Sequence, residues 1–372
     1  MKTILMMLAL ACGLTAAAQC PDNLEYYSQN QLDSFPIKYP GCTAVPGSVI
    51  VAGNDIQNVN ALLGLKSAGA DLRIYDCNNL ENLNGLDSLF QVGGTLWIYA
   101  NDHLADLDGL NGVTGIGGDL DISHNYNLGS LAGLNRLASI DGQLLIQNNS
   151  KLPDIDSLNS LKTIGGNLSI VANAKLKSLK GLEKLVSLEG NLLIARNPVL
   201  TSIRGLNLLS TIGDDLVIYI NDSLKTISGL TQLTTVDTNF YLSECHALVN
   251  LAGFINLNSV GGDLGISDCR SLASLSGLDS LAFVGGQLSI VDNPALTTLA
   301  SLGNLSFVRK GLEFTNNAAL PDFTGLEKLV STKGGLLIYN NASLQSLPGL
   351  GQLKSLGEFL AIYSNKNLTD LT

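Results

Sequence analysis

Residues 96–119 read LWIYANDHLADLDGLNGVTGIGGD, and this 24-residue unit decides the fold. Copies begin every 24 residues from Leu72 to Leu360 without insertion or deletion, and a degenerate earlier copy begins at Ser48. The shared pattern is L-x-I-x-x-N-x-x-L-x-x-L-x-G-L-x-x-L-x-x-I-G-G-x, with positions numbered 1 to 24. Such a period is typical of a solenoid, in which each repeat buries its apolar surface against its neighbours.

The spacing of apolar residues within the repeat predicts an all-β coil. Alternation at positions 1 to 4 predicts a short strand whose first and third side chains face inward, and copies stacked about 4.8 Å apart would form a parallel sheet. The later apolar positions 9, 12, 15, 18 and 21 are three apart. Because steps of three drift around an α-helix, short strands and 3₁₀ turns suit them better. We therefore expect a parallel β-helix or leucine-rich-repeat-like solenoid of about thirteen coils, with little or no α-helix.

The glycines that recur in the pattern predict sharp turns. They stand at position 14 and as a pair at positions 22 and 23, for example Gly93-Gly94 and Gly165-Gly166. Glycine tolerates φ > 0, which is one way in which the coil could turn there.

Position 6 is occupied by Asn or Cys in every complete copy. A buried Asn can satisfy backbone groups at the turn after each strand, and stacked copies would form a ladder in which Cys substitutes as a small buried residue. The predicted ladder comprises Cys77, Asn101, Asn125, Asn149, Asn173, Asn197, Asn221, Cys245, Cys269, Asn293, Asn317, Asn341 and Asn365.

The chain divides into three predicted segments. Residues 1–18 resemble a signal peptide, with Lys2, a short apolar run and a small-residue cleavage site before Gln19; lipidation at Cys12 or Cys20 is the alternative. Residues 19–47 form a non-repeat cap, and residues 48–372 form the solenoid. Because no polar capping segment follows the partial repeat at Leu360, we also expect a longer natural protein.

The cysteines sort by their place in the repeat. Cys20 and Cys42 flank the cap and are expected to form a disulfide in an oxidising compartment. Cys77, Cys245 and Cys269 are expected to be free thiols. The alternative is a bond between Cys245 and Cys269, which lie on adjacent coils.

Composition makes several classes of function improbable. A net charge of −11 and a pI near 4.6 argue against nucleic acid and anionic membranes as partners, because phosphate binding needs clustered Lys and Arg. No apolar stretch is long enough to span a bilayer. His103, His124 and His246 occupy unrelated repeat positions and are predicted to be solvated surface residues. With no nucleotide-binding motif and no loop insertions, we expect neither an enzyme nor a cofactor.

Outward-facing aromatic side chains are the best candidates for ligand binding. Position 4 holds Tyr75, Tyr99 and Tyr219, whereas position 2 holds Trp97 and Tyr241. Aromatic residues are enriched in recognition surfaces. The alternative is that they stack across strands and only stabilise the sheet.

Position 5 of three consecutive coils offers a candidate metal site. Glu244, Asp268 and Asp292 would place carboxylates about 4.8 Å apart, and Ca²⁺ accepts such oxygen ligands. The alternative is a solvated acidic strip that Arg270 neutralises in part.

An Asn or Cys after an L-x-L-type strand resembles the leucine-rich repeats. The gap of three from Asn101 to Leu104, without a convex helix, is closer to the receptor L-domain branch, and residues 41–51 (GCTAVPGSVIV) are similar to the opening strand of that family. The signal segment ending at Gln19 resembles those of secreted Bacteroidota proteins. The resemblance implies a right-handed coil and extracellular recognition, but no receptor kinase or cysteine-rich module accompanies it.

The sequence therefore predicts a secreted or cell-surface recognition module that binds an extracellular protein or glycan through the outward strand face. The alternative is a rigid spacer or adhesin stalk of roughly 60 Å, from the spacing of strands, that presents another domain.

Overall fold

The computed structural model describes residues 20–371, so the predicted signal peptide and Cys12 lie outside the described residues. The described chain forms a parallel β-solenoid of about fourteen turns, with about 24 residues per coil. Two parallel sheets run along it, and consecutive coils pair in register in both. The predicted fold class is confirmed.

The first sheet contains fifteen strands within the described residues. From the repeat at Leu72 onward, each strand covers positions 1 to 4. The strands are Leu24–Tyr26, Val49–Ala52, Leu72–Tyr75, Leu96–Tyr99, Leu120–Ser123, Leu144–Gln147, Leu168–Val171, Leu192–Ala195, Leu216–Tyr219, Phe240–Ser243, Leu264–Ser267, Leu288–Val291, Leu312–Thr315, Leu336–Tyr339 and Leu360–Tyr363.

The second sheet contains fourteen two-residue strands in the same part of the chain. Its strands, mostly at positions 20 and 21, are Ala44–Val45, Ser67–Ala68, Gln91–Val92, Gly115–Ile116, Ser139–Ile140, Thr163–Ile164, Ser187–Leu188, Thr211–Ile212, Thr235–Val236, Ser259–Val260, Phe283–Val284, Phe307–Val308, Ser331–Thr332 and Ser355–Leu356. Two short α-helices (Gln29–Asp33, Phe35–Lys38) lie in the cap, and 3₁₀ turns span Asn60–Leu62, Asp156–Leu158, Ala252–Phe254 and Ala300–Leu302.

One apolar core fills the coil from end to end. Every apolar position of the repeat contributes to it. In the repeat that begins at Leu96, the apolar residues exposed by no more than 1% are Leu96, Ile98, Leu104, Leu107, Leu110, Val113 and Ile116. Because each of these side chains packs against the same position of the coils above and below, a change in repeat length would disrupt the packing of the whole stack.

The glycines turn the coil in two different ways. Most position-14 glycines take φ > 0, as in Gly109 at 109°, whereas Gly229 and Gly253 do not. Where that residue is Ala61, Ser157 or Ser301, the chain forms a 3₁₀ turn instead, and Gly253 also lies in one. This agrees with the cost of φ > 0 for residues that carry a Cβ.

The glycine pair at positions 22 and 23 does not take φ > 0, so that option is wrong for the pair. A Cβ on Gly93 would stand 2.1 Å from the carbonyl oxygen of Gly69 in the preceding coil. Close approach of the stacked backbones is therefore what requires glycine there.

The cap extends the first sheet. Cys20 and Cys42 are disulfide-bonded, which confirms the predicted pairing. Strand Leu24–Tyr26 pairs with Val49–Ala52, so the first repeat strand begins one residue after Ser48. The rings of Tyr26 and Phe35 meet edge to face with centroids 6.4 Å apart. The cap thus covers one end of the apolar core and pairs with the edge of the first repeat strand.

Position 6 forms the hydrogen-bonded ladder that its composition suggests. The Asn101 amide Nδ2 donates to the carbonyl of Ile74 in the preceding coil (2.9 Å), and its Oδ1 accepts the backbone N–H of Cys77 (3.1 Å). The same pattern recurs at the other Asn residues of the ladder, for example from Asn173 to Ile146.

Cys77, Cys245 and Cys269 occupy the same ladder as free, buried thiols. Desolvation raises the pKa of Cys77 and Cys245 to about 12 and that of Cys269 to about 11. A thiol of such high pKa stays protonated at neutral pH and is a poor nucleophile. In the described part of the chain no helix is long and apolar enough to cross a membrane.

Candidate binding face

The parallel register of the first sheet stacks the outward residues of neighbouring coils. Arg73 pairs with Trp97 at position 2, and Tyr75 pairs with Tyr99 at position 4. Since inward and outward residues alternate along each strand, these side chains share the outer face. The structure therefore brings together the three N-terminal aromatic candidates.

Five rings form a continuous diagonal line, which we call the aromatic row: Tyr75, Trp97, Tyr99, His124 and Tyr126. The Trp97 centroid lies 5.3 Å from that of Tyr75 and 5.1 Å from that of Tyr99. The row continues through His124, 5.0 Å from Tyr99, to Tyr126, 6.3 Å further on. Tyr126 is 48% exposed, and the other four side chains are half-buried. The row crosses the sheet from its strands to the turn that follows them.

His124 and Tyr126 are members that the sequence analysis missed, and the prediction of a solvated surface histidine is wrong for His124, which is half-buried with its Nδ1 out of contact with solvent. Position 5 takes a left-handed backbone in every complete coil, with φ of 60° at His124. This turn lets the His124 ring continue the line begun by Tyr99. The available signal was that His124 follows Tyr99 by one coil and one residue.

Only one of the two ring nitrogens of His124 has a hydrogen-bond partner. Its Nε2 lies 2.9 Å from Nδ2 of Asn148, whose amide donates, whereas Nδ1 is buried and has no hydrogen-bond partner. With Nε2 accepting, the neutral ring carries its proton on Nδ1. The row therefore contains a polar group whose hydrogen bond is unmade.

A polar depression adjoins the row at Trp97. It has a volume of about 240 Å³, and its lining is Arg73, Thr95, Trp97, Asp119, Asp121 and Gln143. The Arg73 guanidinium lies 6.0 Å from the Trp97 ring centroid and forms a 2.7 Å ion pair with Asp71. Desolvation raises the pKa of Asp121, against the opposing effect of hydrogen bonds from Ser123 and Trp97. The depression thus combines positive and negative charges with the apolar surface of the Trp97 ring.

The remaining aromatic candidates lie apart from the row. Tyr219 is five coils beyond Tyr99, about 24 Å along the sheet at the usual strand spacing, and Arg196 lies 5.7 Å from its ring. The Tyr241 hydroxyl reaches Asp263 at 3.5 Å. Desolvation, followed by the charge of Asp263, raises the pKa of Tyr241. These two tyrosines make no ring contact with each other among residues 20–371, so they do not extend the site.

The position-5 carboxylates do not form a metal site. Within the described chain, no group of three or more His, Cys, Asp or Glu side chains could hold a metal ion, and this includes Glu244, Asp268 and Asp292. Asp268 pairs with Arg270 at 3.3 Å, and Asp292 accepts from Asn316 at 2.6 Å. Asp268 and Asp292 thus each have a partner of their own and do not converge with Glu244 on a common point.

The chain matches no protein-family model and no curated protein.

Proposed function

We propose that the protein is a non-catalytic, extracellular recognition module that binds a protein partner through the aromatic row. The observation that supports this proposal is the row itself, five rings in contact beside a depression that holds Arg73. Aromatic and arginine side chains dominate the binding energy of protein interfaces when they cluster centrally. The half-exposed rings supply apolar area, and Arg73 beside them supplies charge.

Ring geometry favours protein over glycan as the partner. Sugars stack on the free faces of aromatic rings, but the Trp97 ring already contacts two Tyr rings at tilts of 33° and 31°. Much of its surface is therefore used within the row. What remains for a partner is ring edges, phenol hydroxyls and the neighbouring charges, which suit the mixed polar and apolar contacts of a protein interface.

The test compares two double variants of the same face. Trp97→Ala with Tyr99→Ala removes the centre of the row. Tyr339→Ala with Tyr363→Ala removes a Tyr pair of similar contact, with centroids 4.6 Å apart, elsewhere on the first sheet. We expect a cell-surface partner, identified by cross-linking and then purified, to lose at least about tenfold in affinity only for the first variant, since central aromatic anchors each contribute about 2 kcal/mol or more.

Equal binding by both variants would show that the row only stabilises the sheet. Binding to a glycan array without a protein partner would contradict the choice of ligand class. A wild-type protein that binds neither would favour the spacer function. Thermal unfolding midpoints of both variants check that the loss is not a folding defect.

A further inference from the structure

A second ladder runs along the outer edge of the first sheet at position 24. There, a side-chain oxygen accepts the backbone N–H of position 24 in the next coil, at 2.8 to 2.9 Å. The accepting residues are Asp71, Asp119, Asn167, Asn191, Asp215, Asn239 and Asp263. Desolvation alone would raise the pKa of Asp215, but hydrogen bonds from Thr238 and Asn239 lower it overall. Asp215 therefore takes part in the ladder as a carboxylate.

Among the described residues the ladder is interrupted wherever position 24 is not Asp or Asn: Thr95, Gln143 and Gln287 accept no backbone N–H from the next coil, and two consecutive glycines follow Gln287. Position 24 is Gly311 and then Gly335, and neither can offer a side-chain oxygen. A Cβ on Gly311 would stand 2.8 Å from the carbonyl oxygen and 3.3 Å from the amide nitrogen of Gly335, so a side chain there would lie against the Gly335 backbone. In the described residues, the N–H groups of Gly311 and Gly335 donate no hydrogen bond. The Gly335 N–H is thus left without the acceptor that Asp or Asn at Gly311 would provide. The Gly311 N–H is unpaired because Gln287, the residue before it in the ladder, does not accept it.

A cavity of about 460 Å³ adjoins these glycines, and the Phe359 ring fills the place next to Gly335, with Cδ1 2.6 Å from where a Cβ would stand. Three cations line it, Arg309, Lys310 and Lys333, of which the first two replace the glycine pair at positions 22 and 23. Lys310 pairs with Asp263 at 3.1 Å, whereas Arg309 and Lys333 form no ion pair within residues 20–371. Three of 21 cations thus meet around unpaired N–H donors in a chain of net charge −11.

Two carboxylates in the lining limit the negative charge that a bound ligand can carry. Glu313 is held by Gln287 Nε2 at 3.1 Å and by the Ser289 hydroxyl at 2.9 Å, and Glu358 stands at the rim. Their repulsion disfavours a dianion such as sulfate or phosphate. The side chains of Leu337 and Phe359 add apolar surface to the lining.

We propose that this cavity binds the carboxylate of a small organic acid. One carboxylate oxygen takes the place of the absent Asp side chain and accepts the N–H of Gly335, while Arg309 and Lys333 neutralise the charge. The apolar part of the acid packs on Leu337 and Phe359. The chemistry is that of the position-24 ladder, with a ligand oxygen where seven other coils use their own side chain.

The experiment follows the glycine amide signals of the ¹⁵N-glycine-labelled protein by NMR. The probe is phenylacetate, with phenylacetamide as its neutral counterpart and sulfate as the dianion. We expect phenylacetate to shift the Gly335 and Gly311 amide signals in a saturable way, and phenylacetamide and sulfate to bind at least tenfold more weakly. An unchanged Gly335 signal, or equal binding of the neutral amide, would overturn the proposal without any variant.

Variants then locate the charge. Arg309→Gln with Lys333→Gln should weaken phenylacetate binding at least tenfold, whereas Lys354→Gln with Lys366→Gln removes the same charge outside the cavity and should leave binding unchanged. Equal weakening by both pairs would mean a general charge effect and would refute the site. Because Trp97→Ala with Tyr99→Ala should retain phenylacetate binding, this test can fail independently of the proposed protein recognition.

Discussion

A single backbone conformation at position 5 shapes the turn after every strand. Thirteen non-glycine residues take φ between 45° and 60° there, from Asp76 to Ser364. Asn and Asp tolerate this region, but a β-branched residue is strained in it. Ile220, with φ of 52°, is the least suited of the set. The strain persists because the coils above and below hold the same conformation.

Ile220→Asn should stabilise the protein. Relief of the left-handed strain is worth about 1 kcal/mol, and Ile220 is not part of the buried core. The control is Ile255→Asn, the same change at an exposed residue whose φ is −55°, where no gain is expected. Urea unfolding of both variants measures the difference, and a gain at Ile255 equal to that at Ile220 would disprove the strain argument.

At the scale of the element, each strand and the turn after it depend on the Asn of an adjacent coil. Asn197 donates to the carbonyls of Ile170 and Ala195, and it accepts the N–H of Asn173. All of these groups are buried or part-buried. Most bonds of the ladder therefore run between coils, which explains why Cys, whose thiol is only a weak donor and a weak acceptor, occurs only occasionally.

Asn197→Ala should destabilise the coil strongly. It leaves the Asn173 N–H and the Ile170 carbonyl without partners, at a cost of about 3 kcal/mol in the free energy of unfolding. Asn207→Ala, at an exposed residue, should change it by less than about 0.5 kcal/mol. Denaturant unfolding gives both values, and a loss of similar size at Asn207 would show that the buried amide has no special role.

For the whole molecule, stability should be transmitted only between neighbouring coils. Repeat solenoids behave approximately as chains of units in which each contacts its nearest neighbours. The disulfide-bonded cap protects the first of these units, because it pairs with strand Val49–Ala52 and covers that end of the core.

Cys20→Ser with Cys42→Ser should therefore loosen the N-terminal coils without unfolding the rest. Loss of a native disulfide costs about 3 kcal/mol. Hydrogen exchange followed by mass spectrometry should become faster for residues 20–75 and remain unchanged beyond the middle of the chain. Uniformly faster exchange would instead show that the solenoid unfolds as one cooperative unit.

The sequence by itself determined the coil. Because the repeat has one length throughout, inward residues at Leu96, Ile98 and their equivalents must stack, so the parallel register and the continuous core follow from hydrophobic periodicity alone. It also placed Tyr75, Trp97 and Tyr99 together, since residues 24 apart become neighbours.

Only the tertiary structure decided the features that depend on backbone torsion and on empty space. The left-handed turn at position 5 brings His124 into the aromatic row and separates the carboxylates that the sequence suggested as a metal site. The cavity beside Gly311 adjoins the N–H of Gly335, which lacks the side-chain oxygen that Asp or Asn supplies on other coils. Neither a torsion angle nor an unpaired N–H can be read from the residue types, because both depend on how each coil packs on the next.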